Sequence, residues 1–390
     1  MMRATIAGVG LILLRCSLSL AAPNSGVTMS GSVDSLFSFV GPRDPGCAVL
    51  VIKDGKRVFS KGYGVANLLS ATPITPETNF RLASLTKQFT AMSIMLLVHD
   101  GKLRYEERLS DIFPDFPAYG KTITVRQMLN HTSGLIDYED IMEKQYVGVA
   151  DDKIPQINDA GVLQLLEQQS TTKFAPGNYW SYSNSGYVLL AMIVEKRSGM
   201  DFGEFLERRI FAPLNMANTI AFEKGKNQVS HRAYGNTQTS GAWRQTDQSS
   251  TSATLGDGGI YTSLNDLEKW DRALSESRLL SGKEMQPGLL AAAMPNGAPM
   301  LQPNGTLAPR YGFGWFLDPY LGHRRYSHYG ETIGFRNAIQ RFPDDHLTVI
   351  VLSNRAELDA PAFAQKVADL YLKRQPLERN RKTSEKFGQR

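Results

Sequence analysis

Ser84-Leu85-Thr86-Lys87 sets a hydroxyl and an amine three residues apart at the head of a long apolar run that ends near Gly101. Residues three apart share a helix face, so the Ser84 Oγ and the Lys87 amine are expected side by side at a helix N-terminus. There the positive end of the macrodipole favours an anionic nucleophile and is expected to depress the lysine pKa. A weak hydroxyl beside such a base is the minimal equipment for acyl transfer. Ser170-Thr171-Thr172-Lys173 repeats the spacing, but Phe174-Ala175-Pro176-Gly177 follows at once, so no helix continues to align that second pair.

Two further groups carry chemistry. Tyr182-Ser183-Asn184 stands just ahead of a helical pattern starting about Ser185. A phenol beside an ammonium is expected to lose its proton more easily, and asparagine offers an amide substrate both a donor and an acceptor. Read alone, the trio also fits a packed tyrosine with Asn184 capping the helix, and Tyr234-Gly235-Asn236 repeats the pattern elsewhere. His328-Tyr329-Gly330 leads into a strand pattern beginning at Phe335, on or beside a sheet edge, with Gly330 giving another backbone room to approach. A satisfied structural histidine is the plainer reading of His328 by itself.

The elements that must position these groups are readable from periodicity. Cys47 to Lys53 and Arg57 to Tyr63 are β-rich runs joined by Asp54-Gly55 and Lys56, a hairpin signal. A second hairpin is predicted from Phe335 to Phe342 and His346 to Leu352, followed by a helix over Ala360 to Leu372. Between them, apolar residues recur at helical spacing in Ala91 to Val98, Val125 to Leu129, Val162 to Leu166, Tyr187 to Val194 and Leu264 to Leu274. The predicted fold is α+β: an antiparallel sheet flanked by helices and built from both chain ends, with a mostly helical lobe inserted. The sheet lobe is placed at about 35–80 and 230–375, the helical lobe at about 81–229.

Composition supports a globular protein: of 390 residues, 42% are hydrophobic and 21% charged. Residues 1–22 read as an export signal, with Arg3, an apolar run from Ala4 to Leu14 and a small-residue cleavage region at Ser19-Leu20-Ala21-Ala22. Eleven apolar residues fall short of the roughly 20 that span a bilayer, so a periplasmic or secreted protein without a stable membrane span is expected. Arg15 before Cys16 is a poor context for lipid attachment. With the signal removed, Cys47 is the remaining cysteine, and no internal disulfide is expected. The net charge of +5 is carried by the stretch from Lys373 to Arg390, with seven Lys or Arg against two Glu, so the body is neutral and nucleic-acid binding is not expected. Residues 376–390 read as a basic polar tail.

The three polar groups stand in one order, 98 and 146 residues apart when counted from Ser84 to Tyr182 and from Tyr182 to His328. In that order, with Leu129-Asn130-His131-Thr132-Ser133-Gly134-Leu135, Pro176 through Leu190, and Gly258-Gly259-Ile260-Tyr261-Thr262-Ser263 with Asp266-Leu267, the chain from about 35 to 375 resembles the serine β-lactamase and penicillin-binding-protein superfamily. The resemblance is to the branch that holds class C β-lactamases, D-alanyl-D-alanine carboxypeptidases, D-aminopeptidases and related esterases.

The resemblance implies Ser84 as the acylated nucleophile, with Lys87 and Tyr182 sharing the proton and Asn184 holding the substrate amide. The backbone N–H groups of Ser84 and Glu331 would form the oxyanion hole. His328, Tyr329 and Gly330 stand where many relatives carry Lys-Thr-Gly. A histidine, only partly charged at neutral pH, is expected to hold a substrate carboxylate less firmly than lysine, which points away from efficient β-lactam hydrolysis. Tyr138, after Gly134-Leu135, is a further candidate for the pocket wall. The expected function is an exported peptidase or amidase of the D-alanyl-D-alanine carboxypeptidase or D-aminopeptidase type acting on a small-molecule or peptide substrate. A small-ester hydrolase or weak class C-like β-lactamase is the alternative, and a non-catalytic penicillin-binding module is disfavoured by the intact polar groups. No G-x-S-x-G elbow occurs, and the six histidines show no metal-ligand spacing, so neither metal nor cofactor is expected.

Overall fold

The computed structural model describes residues 28–294 and 296–372; the stretch read as an export signal, Cys16 and the stretch read as a basic tail lie outside the described residues. Cys47–Lys53 and Lys56–Tyr63 form the expected hairpin. Its turn at Asp54 and Gly55 has φ of +52° and +72°, the twist that two-residue hairpins prefer. Tyr326–Thr332, Phe335–Phe342 and Leu347–Ser353 complete a five-stranded antiparallel sheet. The Leu347–Ser353 strand pairs with Cys47–Lys53, Cys47 facing Ser353 and Lys53 facing Leu347, so the two chain ends meet at the centre of the sheet. Tyr326–Thr332 is left as an edge strand.

Helices cover both faces, which is why the central strands read as continuous apolar runs without alternation. Cys47, Val49, Val51, Val349 and Val351 pack on one face with Val33, Ala364 and Val367, which belong to the helices Met29–Leu36 and Ala360–Tyr371. Ala48, Leu50, Ile350 and Leu352 face the helical core on the other side. Cys47 is buried in the first of these layers with its thiol free, and burial holds that thiol protonated.

The two helices that matter for the site are Lys87–His99 and Asn184–Ser198, which pack against each other. Lys87 to Leu97 are all buried, and so are most residues from Ser185 to Val194, so both are core helices, apolar on every side. Gly101 at φ +69° and Gly199 at φ +74° end them in the left-handed conformation that glycine adopts freely. Each helix therefore runs from a terminal glycine back to an N-terminus deep in the protein, and the sheet's edge strand passes beside the residues that lead into the first of them. Among the described residues no helix is long and apolar enough to cross a membrane.

Candidate active site

Ser84 does not cap a helix. It sits in a 3-10 turn, Ala83–Thr86, that runs directly into the Lys87–His99 helix, and no side-chain cap bond is made at the start of either. Ala83 before it has φ +50°, a strained conformation for a non-glycine residue of the kind that structures hold at functional turns. The hydroxyl, free of capping, lies 3.0 Å from Lys87 Nζ.

Lys87 is fully buried. Its amine also reaches Asn184 Oδ1 at 2.8 Å and the Asp257 carbonyl at 2.9 Å. Desolvation lowers its pKa from 10.5 to about 8, while Asp257, Glu139 and Asp137 pull in the other direction. Burial, and not the macrodipole expected from sequence, is thus the main cause of its weakened hold on the proton. Two of its three partners are carbonyl oxygens that can only accept. In the neutral amine, two N–H bonds satisfy those carbonyls and the lone pair faces the Ser84 hydroxyl.

Tyr182 closes the site from just ahead of the second helix. Ser183 caps that helix, its side chain accepting from the Gly186 N–H, so Asn184 is released from the capping role and points its oxygen at Lys87. The Lys87 amine lies 5.0 Å from the Tyr182 ring centre. The expectation of an easily ionised phenol is corrected here: burial raises the Tyr182 pKa well above 10, and the Ser84 hydroxyl offsets that only in part. In the resting site Tyr182 is a proton donor.

On the edge strand, side chains alternate. His328 and Gly330 face inward and are buried, while Tyr329 and Glu331 face out. A Cβ at Gly330 would lie 2.0 Å from the Leu82 carbonyl oxygen, so glycine is what lets this strand approach the Ser84 turn. The expected carboxylate-binding role of His328 does not fit its position. It is 2% exposed, its Nδ1 donates to the Tyr329 carbonyl at 2.7 Å and its Nε2 accepts from the Tyr311 hydroxyl at 2.9 Å. Burial and the neighbouring Lys87 lower its pKa to about 3, so it is neutral and turned to the interior. Tyr329, 48% exposed, stacks on Phe316, and the Glu331 carboxylate pairs with Arg336 at 2.8 Å. Tyr138 lies in the pocket wall but is buried, donating to Asp257 Oδ2 at 2.9 Å.

Ser84, Asn184, Tyr138 and Glu331 line one cavity of about 90 Å³, together with Arg81, Glu139 and Asp257. It opens toward a larger cleft of about 910 Å³ through shared walls at Glu139, Thr251, Glu331 and Thr332. Asp257 went unrecognised in the sequence. Its signal was an acid set inside Leu255-Gly256-Asp257-Gly258-Gly259, a loop whose glycines permit close approach: a Cβ at Gly256 would stand 2.3 Å from the Tyr187 carbonyl oxygen.

A family model described as Beta-lactamase matches residues 39–372. The chain belongs to the β-lactamase family. Among curated relatives it is 33% identical over 322 residues to penicillin-binding protein 4* of Bacillus subtilis, covering 79% of this chain and 68% of that protein. It is 30% identical over 314 residues to a D-aminopeptidase of Brucella anthropi, covering 80% of this chain and 56% of the aminopeptidase, so it spans little more than half of that relative's length. Among solved structures, the octameric penicillin-binding protein homologue from Pyrococcus abyssi superposes with a TM-score of 0.71 at 27% identity, over 86% of this chain and 76% of that one. As a member of the β-lactamase family with aminopeptidase relatives, the protein is a serine hydrolase.

His131, in the stretch from Leu129 to Leu135, carries no local sequence signal for a site role, yet it grips the tyrosine segment from both sides. Its carbonyl accepts from the Ser181 N–H at 2.9 Å, its Nδ1 accepts from the Ser183 N–H at 3.2 Å, and its ring lies 4.2 Å from the Tyr182 ring between them. It does so at φ +62°, in the left-handed region. Asparagine tolerates that backbone and offers an oxygen where Nδ1 stood. His131→Asn is therefore expected to keep kcat within about tenfold, whereas His131→Ala misplaces Tyr182 and lowers kcat about 100-fold with KM little changed. Equal kcat losses in the two variants, or a loss confined to KM, would count against this positioning role.

Proposed function

We propose that the protein is an exported hydrolase that works through an acyl-enzyme on Ser84, with amide bonds of D-amino-acid derivatives or peptides as its substrates. The observation that carries the reading is the set of three bonds at Lys87, which leaves its lone pair to the Ser84 hydroxyl. Lys87 takes the hydroxyl proton as Oγ attacks the carbonyl carbon. The backbone N–H groups of Ser84 and Glu331 receive the charge on the carbonyl oxygen. Tyr182, protonated at rest, hands a proton to the leaving amine and recovers one from Lys87, and the C–N bond breaks. A water molecule then attacks the ester on Ser84, its proton returning to the Lys87–Tyr182 pair, and the acid product leaves with the serine hydroxyl restored. Asn184, its oxygen held by Lys87, turns its NH2 toward the substrate. Export rests on the charged, apolar and small-residue sequence of residues 1–22.

His328, neutral and buried, gives a β-lactam carboxylate no cation on the edge strand. A panel of nitrocefin, a D-alanyl-D-alanine peptide, D-alanine p-nitroanilide and p-nitrophenyl acetate tests the reading. At least one D-amino amide is expected to be hydrolysed with a kcat/KM above that for nitrocefin. Faster turnover of nitrocefin, or turnover of the ester alone, would overturn the amidase assignment.

A further inference from the structure

A second cavity, of about 560 Å³, lies on the flank of the Lys87–His99 helix that carries Gln88, Met92 and Met95. The Leu264–Ser275 helix, the Gln286–Leu289 turn and one end of the sheet wall it in. It shares no wall residue with the Ser84 cavity or with the outer cleft. Its size is within the range of about 300–1,000 Å³ in which small-molecule sites fall. Met92, Met95, Trp270, Phe313 and Trp315, none more than 7% exposed, give it an apolar interior. Gln88 is the polar group set among them, 3% exposed, its Oε1 accepting from Trp270 Nε1 at 3.1 Å. An indole N–H can only donate, so this bond fixes which end of the Gln88 amide is oxygen. The NH2 end then has no acceptor among the described residues, and the Trp315 indole N–H has none either. Buried donors in that state mark the place of an acceptor. Charge on the wall is already matched. Arg341 pairs with Asp271 at 2.6 Å, Glu268 is shared by Arg57 and Arg272, Glu276 pairs with Arg278 at 2.7 Å, and Arg324 pairs with Asp344.

We propose that this cavity is a second small-molecule site, separate from the substrate cavity, and that its ligand is an uncharged, largely apolar molecule carrying a carbonyl group. The carbonyl oxygen accepts from the Gln88 NH2, and the apolar body lies on Met92, Met95 and Trp270. A charged ligand finds no free counter-charge there, since each acid and each arginine of the wall is already paired, and its desolvation goes uncompensated. The site stands independently of the acyl-enzyme reading of Ser84.

Two of the chain's four tryptophans serve as reporters in the test. Trp270 and Trp315 line this cavity, whereas Trp180 lies beside the substrate cavity, 6.4 Å from the Tyr182 ring. Protein carrying 15N at its indole nitrogens, with signals assigned through single Trp→Phe variants, is titrated with 1-acetonaphthone, 1-naphthoate and 1-naphthylmethylammonium, which share a ring system and differ in charge. The ketone is expected to move the Trp270 and Trp315 signals, to leave that of Trp180 in place, and to bind at least about tenfold more tightly than either ion. Gln88→Met, close in shape but without the NH2, is expected to weaken the ketone about fivefold and 1-isopropylnaphthalene, which has no acceptor, less than about twofold. Leu274→Trp fills the cavity from the outer helix and is expected to weaken the ketone at least about tenfold. Movement of Trp180 alone, tighter binding of either ion, or no movement at the ketone's solubility limit overturns the proposal. So does ketone affinity unchanged in a folded Leu274→Trp variant, or equal losses for ketone and hydrocarbon in Gln88→Met. The ranking of the three ligands on the unmodified protein decides the matter even where a variant does not fold.

Discussion

Ser84→Ala is expected to lower kcat by about 10⁴-fold or more on every substrate the protein turns over, with the fold unchanged. The size follows from what is lost: the atom to which the acyl group would bond, for which the site holds no substitute. Ser84 makes no capping bond, so its removal leaves both helix starts intact. The thermal midpoint of the variant is accordingly expected within about 3 °C of the parent. Loss of activity together with a collapse in stability would assign the serine a structural part; retained activity would remove it from the chemistry altogether.

Lys87 gives the second large effect and a signature in pH. With its pKa near 8, roughly a tenth of the amine is free at pH 7 and roughly nine-tenths at pH 9. Activity on a neutral ester is therefore expected to rise about tenfold over that interval, with kcat/KM levelling above a limb near 8. Lys87→Ala is expected to remove the limb and lower kcat by about 10²–10⁴-fold. A flat profile between pH 7 and 9, or a limb that survives the substitution, would contradict the assignment of the base. The same group shapes stability. From about 8, where the folded state sheds the proton, up to 10.5, where the unfolded chain does, the unfolded state binds more protons, and stability rises with pH by about 3 kcal/mol across that window. Below 8 both states are protonated and this contribution no longer changes.

The fold was legible because its elements are locally consistent. The Asp54-Gly55 turn, the glycines ending both core helices and the unbroken apolar strands each point to one structure; the observed strand ends differ from the reading by a residue or so, while the helices extend up to four residues beyond their apolar runs. Ser84, Lys87, Tyr182 and Asn184 do converge on one place, since each stands at or just before the start of a core helix. Protonation states were not legible. The macrodipole argument for Lys87, the ionisable phenol of Tyr182 and the partly charged His328 all presuppose a solvated site. In the fold, burial outweighs local charge at each of them. Side-chain direction on the edge strand was also hidden: placing His328 at the edge did not say that it faces Tyr311 and the interior. Asp257 and His131 act through contacts across 170 and 52 residues of chain, to Lys87 and Ser183 respectively, and no local pattern encodes such a meeting.

The nucleophile itself is the decisive object, and a fluorophosphonate traps it as a phosphonyl ester with loss of fluoride. Incubation of the purified protein with a fluorophosphonate, digestion, and peptide mass spectrometry should find a single adduct on the peptide containing Ser84, formed faster at pH 9 than at pH 7. An adduct on any other residue, or none while hydrolysis proceeds, contradicts the account.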